Sequence, residues 1–225
     1  MADYARAVAE AGLEIGAIKL SPEKPFVWAS GFQMPIYNDN RMFLQNPALR
    51  RMVRNGFLDI INREGARYDL IAGTSTAGIP HATTLADYLE SPLIYVRDKP
   101  KDHGLRNQIE GIDAERDLEG RQVILIEDLI STGGSSAKAV QAIRDARGTC
   151  NWCLSVFNYG LDKGQQAFDV LDPKCNVRSV LTYDVLLDVA KQTGYLTAEQ
   201  IKMLEDWRVD PFGWGEKHGF PKVER

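Results

Sequence analysis

Short apolar runs alternate with amphipathic helical stripes along most of the chain, and this alternation narrows the possible folds. Strands that alternate with helices are typical of βαβ units, so the pattern predicts an α/β fold with a mainly parallel sheet and helices on both faces. Ligands bind at the carboxyl ends of strands in such sheets, which directs attention to the loops that follow each run. The runs with strand character are residues 68–72, 92–96, 123–126, 152–157 and 177–182.

The two ends of the chain differ from this middle part. Residues 21–41 lack a clear period and predict a lid or cap. A length of 225 residues suits one domain. We expect a single domain over residues 1–225, with an N-terminal region over residues 1–45, an α/β core over residues 65–185, and C-terminal helices and a tail over residues 186–225. A helical stripe that predicts an N-terminal helix is formed by Tyr4, Val8, Ala11, Ile15 and Ile18.

The composition is that of an ordinary globular protein, with 44% hydrophobic and 26% charged residues and a formal net charge of −4. This balance excludes the basic footprint of a general nucleic-acid binder. No apolar run approaches the roughly 18–20 residues that a membrane span requires. Residues 1–12 also lack the apolar core of a signal peptide. The expected location is therefore the cytoplasm, with no nucleic-acid or membrane partner.

Cys150 and Cys153 have the spacing of a redox pair or of half a zinc site. Cys175 is the third and last cysteine, so four soft zinc ligands would require a histidine. The segment around the pair has strand character, which places both residues along an extended chain. We therefore predict plain thiols that are buried or half-buried.

Residues 123–135 are the segment most informative about chemistry, and they read Val-Ile-Leu-Ile-Glu-Asp-Leu-Ile-Ser-Thr-Gly-Gly-Ser. An apolar strand leads into two adjacent carboxylates, and a glycine pair flanked by hydroxyl residues precedes a helix. Glycines let backbone N–H groups turn towards a ligand, and the start of a helix adds further N–H groups and a favourable dipole. This arrangement predicts a cradle for a phosphate dianion.

The carboxylates of Glu127 and Asp128 would repel a phosphate, but they accept hydrogen bonds from sugar hydroxyls, directly or through the water molecules of a metal ion. A phosphate cradle beside such a pair describes a site for ribose 5-phosphate. The plainer alternative is a solvated acidic turn followed by a flexible loop. The segment lacks the lysine of a P-loop and the GxGxxG pattern of a dinucleotide fold, so it predicts neither of those sites.

This segment resembles the phosphoribosyl pyrophosphate (PRPP) motif of the type I phosphoribosyltransferases. The resemblance implies their fold, in which helices flank a central, mainly parallel sheet and a small N-terminal hood is present. It also implies that the two acids contact the ribose hydroxyls and that the following loop binds the 5-phosphate. The PRPP-binding residues expected in this segment are Glu127, Asp128, Leu129, Ile130, Ser131, Thr132, Gly133, Gly134 and Ser135.

Three further segments resemble the orotate phosphoribosyltransferases. Residues 95–111 resemble their mobile loop, residues 30–41 their base-binding region, and residues 73–81 their pyrophosphate loop. The resemblance implies transfer of ribose 5-phosphate from PRPP to orotate, giving orotidine 5-phosphate and pyrophosphate. It also implies Mg²⁺ held by substrate oxygens and water without a direct protein ligand. A homodimer is implied as well, in which loop 97–111 reaches the neighbouring subunit's site.

The same resemblance implies residue roles. Arg97, Lys101 and His103 are expected to be catalytic cations that also bind PRPP, and Asp128 is expected to be catalytic too. Cations placed on this loop assist the reaction because negative charge grows on the departing pyrophosphate. The pyrophosphate loop is expected to contribute Thr74, Ser75, Thr76 and Ala77. The orotate site is expected to contribute Ser30, Gly31, Tyr37 and Ser131.

Three positions differ from the best-known branch of these enzymes, which has lysine where this chain has Ala29, Ala77 and Asp98. The contacts of those lysines are therefore not carried over. Two alternatives share the PRPP site: transfer to a purine base, and a non-catalytic regulator that senses PRPP. A regulator would need a DNA-binding surface or partner and would have no catalytic use for the loop cations.

Aromatic residues cluster near the end of the chain. They could form a base-stacking surface, but we predict that they pack onto the body of the protein or onto a dimer partner. His81, beside Pro80 at a helix start, is predicted to be structural. The aromatic residues concerned are Trp207, Phe212, Trp214 and Phe220.

Overall fold

A six-stranded sheet forms the centre of the structure, a computed structural model that describes residues 3–99, 108–112 and 117–224. The strands in chain order are β1 (Ile18–Leu20), β2 (Phe26–Val27), β3 (Gln33–Met34), β4 (Ile36–Asn38), β5 (Leu70–Thr74), β6 (Leu93–Val96), β7 (Ile109–Glu110), β8 (Gln122–Ile130), β9 (Thr149–Asn158) and β10 (Asn176–Thr182). The helices are α1 (Tyr4–Glu14), α2 (Pro47–Glu64), α3 (Gly78–Tyr88), α4 (Gly134–Asp145), α5 (Asp162–Asp169), α6 (Tyr183–Gln192), α7 (Ala198–Val209) and α8 (Trp214–Lys217).

The strand order in the central sheet is β10–β9–β8–β5–β6–β7, and every neighbouring pair is parallel except β6 with β7. The predicted mainly parallel sheet with flanking helices is therefore confirmed. Two short antiparallel pairs, β1 with β4 and β2 with β3, precede it. Together with the 3₁₀ helix Asn40–Gln45 they form the hood, residues 18–45.

Helices cover both faces of the sheet because β8 sends large apolar side chains to each face in turn. Ile124 and Ile126 pack in a cluster with residues of α1, α2, α3 and α6, whereas Val123 and Leu125 pack in a second cluster with residues of α4. All four side chains are buried. Burial on both faces explains why this strand reads as a continuous apolar run instead of an alternating one.

The start of α2 fixes where the hood meets the core. The Asn46 side chain accepts a hydrogen bond from the backbone N–H of Ala48, and Pro47 occupies the first turn, where a backbone N–H has no helical partner. The 3₁₀ helix ends directly before this cap and packs against both α2 and β8. The hood is thereby brought to the carboxyl end of β8.

Two predicted element boundaries are wrong. Ile18, expected on the N-terminal helix, begins β1, because α1 ends at Glu14 and the chain turns at Gly16. The strand expected over residues 123–126 continues to Ile130, because its hydrogen-bonded ladder with β9 persists beyond the end of the apolar run.

Besides the short strands and the 3₁₀ helix of the hood, two elements were not predicted. β7 lies inside the segment expected to be loop 97–111, because the apolar side chain of Ile109 is buried where that strand pairs with β6. The loop is therefore shorter at its C-terminal end than expected. α5 has a polar sequence that buries only Gly164 and Phe168, so it carries little apolar periodicity.

Predictions about the cysteines and the C-terminal aromatics are confirmed. Trp207 and Trp214 are buried, and the Trp207 ring lies 5.0 Å from the Tyr183 ring, centroid to centroid. The three cysteines are buried free thiols. Among the helices in the described ranges, none combines the length and the hydropathy that crossing a membrane requires.

Candidate active site

The carboxyl ends of β5, β6 and β8 meet at one edge of the sheet, and the loops that follow them line a cavity of about 270 Å³. We call it the first cavity. Its position agrees with the general rule for parallel sheets. Residues separated by more than 60 positions in the chain meet here. The lining includes Thr74, Ser75, Thr76, Ala77, Arg97, Glu127, Asp128, Leu129, Ser135 and Lys138.

The two adjacent carboxylates at the end of β8 have different surroundings. Glu127 is 6% exposed, and its carboxylate accepts hydrogen bonds from the hydroxyls of Thr74, at 2.6 Å, and Ser136, at 2.9 Å. Burial raises the pKa of Glu127 to about 7, while the bond from Thr74 acts in the opposite direction. Asp128 is half-buried and lines the first cavity. Of the pair, Asp128 therefore has the more accessible carboxylate.

The backbone of Asp128 is held by the hood. The side-chain amide of Asn40 donates to its carbonyl oxygen at 2.7 Å, and Asn40 is almost fully buried. His81 on α3 is buried beside these residues, and its burial lowers its pKa to about 4, although the Asp128 charge and a hydrogen bond to the Asn40 backbone oppose that shift. His81 is consequently neutral at pH 7, as befits the structural role predicted for it.

The expected phosphate loop connects β8 to α4. Gly133 has a φ of 71°, a left-handed conformation that favours glycine, and α4 begins at the next residue without a side-chain cap. Backbone N–H groups in the first helical turn have no helical partner, so this end of α4 is suited to an anion. Ser131 is half-buried, Thr132 and Ser135 are exposed, and Gly134 is half-buried.

Ile130, also expected in this motif, is 1% exposed and packs in the second core cluster. Its side chain is therefore part of the core, and any contact of this residue with a phosphate would have to come from its backbone. The sequence motif did not distinguish core residues of the strand from residues of the phosphate loop, because it runs continuously from the strand into the loop.

The expected pyrophosphate loop follows β5. The Ser75 hydroxyl oxygen accepts a hydrogen bond from the Asp98 backbone N–H at 3.1 Å, which ties this loop to the one after β6. The peptide bond between Ser75 and Thr76 is cis. Thr76 is exposed at the first cavity, whereas the Thr74 hydroxyl is engaged with Glu127.

Arg97 lies at the mouth of the first cavity, and its guanidinium is 3.4 Å from the Glu110 carboxylate. Its backbone N–H also donates to the Gln108 carbonyl at 2.7 Å. Lys101 and His103, the other expected loop cations, lie outside the described residues.

A second cavity, of about 420 Å³, adjoins the first, and Leu129 lines both. Its walls are mostly apolar, include the aromatic side chains of Trp28, Tyr37 and Tyr159, and come largely from the hood. The Trp28 indole N–H donates to the Ile36 carbonyl at 2.9 Å, and the Trp28 ring lies 5.6 Å from the Tyr159 ring. The lining consists of Val27, Trp28, Ala29, Ser30, Tyr37, Asn38, Leu129, Ser131 and Tyr159.

The structure brings three of the four expected orotate residues, Ser30, Tyr37 and Ser131, to this second cavity. Gly31 lies instead at a neighbouring cleft, against residues 222–224. Its carbonyl accepts a hydrogen bond from the Val223 backbone N–H at 3.0 Å, so this residue contacts the C-terminal tail.

Sequence reasoning missed several residues that line the two cavities. Lys138 is one helical turn after Ser135 on α4, so the spacing of three could have identified it. Asn38 lines the second cavity, and its buried side-chain amide has no hydrogen-bond partner within the described part of the chain. Trp28 and Tyr159 also contribute, but no local pattern links them.

Comparison with known proteins agrees with this geometry. A family model described as "Phosphoribosyl transferase domain" matches residues 39–185. The orotate phosphoribosyltransferase of Listeria monocytogenes is 43% identical over 209 residues, which cover 93% of this chain and 97% of that protein. The crystal structure of orotate phosphoribosyltransferase from Aeropyrum pernix is 26% identical, has a TM-score of 0.69, and aligns over 84% of this chain and 99% of that one.

A Mycobacterium tuberculosis orotate phosphoribosyltransferase, whose structure holds PRPP, has the same fold, with a TM-score of 0.61 at 20% identity over 82% of this chain and 99% of that one. The fold and the first cavity define a phosphoribosyltransferase of type I. Within that class, the chain belongs to the orotate phosphoribosyltransferase family. The relatives favour this interpretation over the purine-base and regulator alternatives.

Proposed function

We propose that this chain transfers ribose 5-phosphate from PRPP to orotate, releasing pyrophosphate and forming orotidine 5-phosphate. The observation that carries the proposal is the pair of adjoining cavities that share Leu129. One is lined by the two carboxylates, residues 74–77 and Ser135, and the other by apolar and aromatic residues, mostly of the hood. A displacement with inversion needs the incoming base and the leaving group on opposite sides of C1. Two neighbouring cavities that share one lining residue would hold the base and the leaving group in separate spaces beside the ribose.

The 5-phosphate would bind the backbone N–H groups of residues 131–135 and the start of α4, beside the first cavity, which Ser135 lines. The exposed hydroxyls of Thr132 and Ser135 would add donors. Asp128 would accept hydrogen bonds from the ribose hydroxyls, because its carboxylate is the more accessible of the pair. Glu127, already held by Thr74 and Ser136, would keep the end of β8 in position.

Pyrophosphate would lie against residues 74–77 and the cations Arg97 and Lys138, which line the same cavity. As the C1–O bond breaks, the electron pair leaves with pyrophosphate, and the ring nitrogen of orotate bonds to C1 and releases its proton to water. Cations help because negative charge on the leaving group increases along this path. The proposal keeps Lys101 and His103 as further loop cations, by family resemblance.

Orotate would occupy the second cavity. Its flat ring suits a space bordered by Trp28, Tyr37 and Tyr159, because aromatic faces stack well on one another. The hydroxyls of Ser30 and Ser131 and the amide of Asn38 would bind the polar edge of the ring, which presents both donors and acceptors.

Magnesium belongs to the proposal as an ion carried by the substrate. In the described ranges, no group of three or more His, Cys, Asp or Glu residues is placed to hold a metal. The Asp128 carboxylate at the cavity is a hard oxygen donor of the kind Mg²⁺ prefers, directly or through water, so the residues fit an ion bound mainly by PRPP. When bound, the ion would neutralise pyrophosphate charge.

The proposal includes a cytoplasmic location. The buried thiols of Cys150, Cys153 and Cys175 support it, because they form no disulfide and such cysteines are usual in the reducing cytoplasm. It also includes a homodimer that shares loop 97–111 across subunits, as the family resemblance implies.

One assay tests the reaction. Purified protein with PRPP and Mg²⁺ is offered orotate, uracil, adenine and hypoxanthine in separate reactions, and the base and nucleotide are followed by absorbance and chromatography. We expect product only with orotate, and a fall of at least about 100-fold in turnover for Asp128→Asn. Product with a purine, or none with orotate, would overturn the proposal.

A mixed dimer tests the shared loop. Lys101→Ala and Asp128→Asn subunits are each expected to have low turnover alone, but in a mixed dimer one site would combine the intact Asp128 of the first with the intact loop of the second. When the two variants exchange freely at equal amounts, about half of the dimers are mixed and each has one intact site, so we expect mixing to restore about a quarter of the wild-type turnover. If each loop served its own subunit, both sites would carry a lesion and mixing would restore nothing.

A further inference from the structure

We propose that residues 220–224, which we call the C-terminal clamp, position the base-binding turn of the hood and so set the affinity for orotate. The turn consists of residues 28–32 between β2 and β3. This inference rests on the proposed function, since it assigns the second cavity to the base. It assigns a role in base binding to residues 220–224, which no sequence motif connects with the second cavity.

Three consecutive clamp residues contact the turn or the strand after it. The Val223 backbone N–H donates to the Gly31 carbonyl at 3.0 Å. The Pro221 carbonyl accepts a hydrogen bond from the Gln33 side-chain amide at 2.9 Å. The Lys222 ammonium lies 4.8 Å from the centre of the Phe32 ring. The clamp therefore runs along the outer side of the turn.

Gly31 explains why the approach is so close. Its φ is 82°, and a Cβ atom built on it would lie 2.4 Å from the Val223 carbonyl oxygen. A larger residue would push the clamp away as well as strain the turn. The absence of a side chain lets two backbone segments pack directly on each other.

The inner side of the same turn faces the second cavity. Trp28, Ala29 and Ser30 line that cavity, and Ala29 and Ser30 also line the cleft beside the clamp. The turn is thus a thin wall between the clamp and the proposed orotate site. A shift of the clamp would be passed to the base-binding residues through one layer of backbone.

The hairpin has little stability of its own. β2 and β3 contain two residues each, and the turn between them is closed by backbone bonds from the N–H of Gly31 to the Trp28 carbonyl and from the N–H of Trp28 to the Phe32 carbonyl. Isolated two-stranded hairpins are marginally stable in water. Contacts from outside the hairpin therefore decide how well its position is defined.

The clamp is itself anchored to the C-terminal helices. The Phe220 ring stacks on Trp214, with 5.8 Å between ring centroids, and the buried Trp214 donates its indole N–H to the Met203 carbonyl at 2.8 Å. Phe212 also packs edge-on against Phe32 at 5.4 Å. The clamp thus links the base-binding turn to α7, a rigid part of the body.

Loss of the clamp is expected to affect the binding of orotate and not that of PRPP. A preorganised wall lowers the ordering cost of orotate binding, whereas the first cavity contains no residue of the turn or the clamp. Loss of the clamp should therefore raise the KM for orotate and leave the KM for PRPP nearly unchanged.

Two truncations of the full-length protein test this inference. Removing residues 221–225 deletes the three contacts, and removing residues 224–225 keeps them. We expect the longer deletion to raise the KM for orotate by about tenfold and the KM for PRPP by less than about twofold. Hydrogen exchange at residues 28–33 should become faster only in the longer deletion, while thermal unfolding checks that the body remains folded.

A substitution provides a second test if the longer deletion fails to fold. Gln33→Leu removes the donor to Pro221 at similar side-chain size, and Gln192→Leu removes an exposed glutamine on α6 that accepts from Arg6. We expect only Gln33→Leu to raise the KM for orotate, by about threefold. In the deleted protein the same substitution should have no further effect, because its partner is gone.

The outcomes separate this inference from the proposed function. If the full-length protein does not turn over orotate, the proposed function fails. If it does so and neither the deletion nor Gln33→Leu changes the KM for orotate, the clamp has no such role. Equal increases in both KM values would indicate general loosening and would also overturn it.

Discussion

The side chain of Asn40 holds the backbone of Asp128: its amide donates to the Asp128 carbonyl oxygen at 2.7 Å, across 88 positions of sequence. Asn40 begins the 3₁₀ helix of the hood, and Asp128 lies near the end of β8. The bond therefore fixes the hood relative to the proposed ribose site, and both partners are removed from most solvent.

We predict that Asn40→Ala raises the KM for PRPP by about tenfold and lowers the free energy of unfolding by about 1–3 kcal/mol, because the buried Asp128 carbonyl loses its partner. Steady-state kinetics and denaturant unfolding measure the two effects. Asp3→Ala is the matched control, since it removes the cap of α1, away from the hood and the first cavity, at a comparable cost in stability. An equal change of KM in both variants would show that lost stability alone is responsible.

The pKa of Glu127 makes stability depend on pH. Burial raises this pKa from 4.5 to about 7, so the folded protein binds a proton that the unfolded chain has released. The stabilising contribution of the protonated group is full below about pH 4.5, is lost as pH rises towards 7, and is constant above that. The pKa of His81 is lowered from 6.5 to about 4. The contribution of His81 to stability therefore decreases as pH falls through that interval, which is opposite to the effect of Glu127.

We therefore predict that Glu127→Gln changes the pH profile in a defined direction. The melting temperature of the wild type minus that of the variant should decrease as pH rises from 4.5 to 7, because only the wild type loses the stabilising contribution of protonated Glu127. In the variant, stability should rise with pH between about 4 and 6.5, because the effect of His81 is then no longer offset by that of Glu127. Thermal unfolding at several pH values measures both profiles. A constant difference across this range would contradict the raised pKa.

Lys138 is predicted to bind PRPP. It lines the first cavity from α4, one turn after Ser135, and adds a positive charge beside the expected pyrophosphate position. Lys138→Ala should raise the KM for PRPP by about three- to tenfold, with a smaller effect at high salt, because exposed charges are screened. Lys202→Ala, an exposed lysine on α7, is the control. Equal kinetic parameters for Lys138→Ala and wild type would exclude this role.

The PRPP site could be predicted from the sequence because the residues that define it lie close together in the chain. An apolar run, two acids and a glycine pair stand consecutively in the chain, and the rule that ligands bind at the carboxyl ends of parallel strands places the loops after β5, β6 and β8 together. The extension of β8 to Ile130 was missed, because hydrogen bonding to β9 continues where the apolar pattern stops.

The base pocket was less predictable because it depends on packing between distant segments. Ser30 and Tyr37 were identified through resemblance alone, while Trp28, Asn38 and Tyr159 meet only once the hood folds onto the end of β9. Gly31 was assigned to the base and instead contacts the C-terminal clamp. No periodicity within either segment encodes these contacts, which are set by the way the hood and the C-terminal helices pack together.

α5, which the sequence pattern missed, supports the phosphate loop from behind. A Cβ atom on Gly164 would lie 2.6 Å from the Ser131 carbonyl oxygen, and the Gly164 carbonyl lies 2.9 Å from where a Cβ on Gly133 would be.

Gly164→Ala should therefore displace the loop and raise the KM for PRPP by about tenfold or more, because the N–H groups that hold the phosphate would move by a few tenths of an ångström. Gln166→Ala, on the exposed face of the same helix, controls for altered helix propensity. Equilibrium binding of PRPP, with circular dichroism to verify folding, distinguishes the variants. Unchanged affinity in Gly164→Ala would mean that α5 does not set the position of the loop.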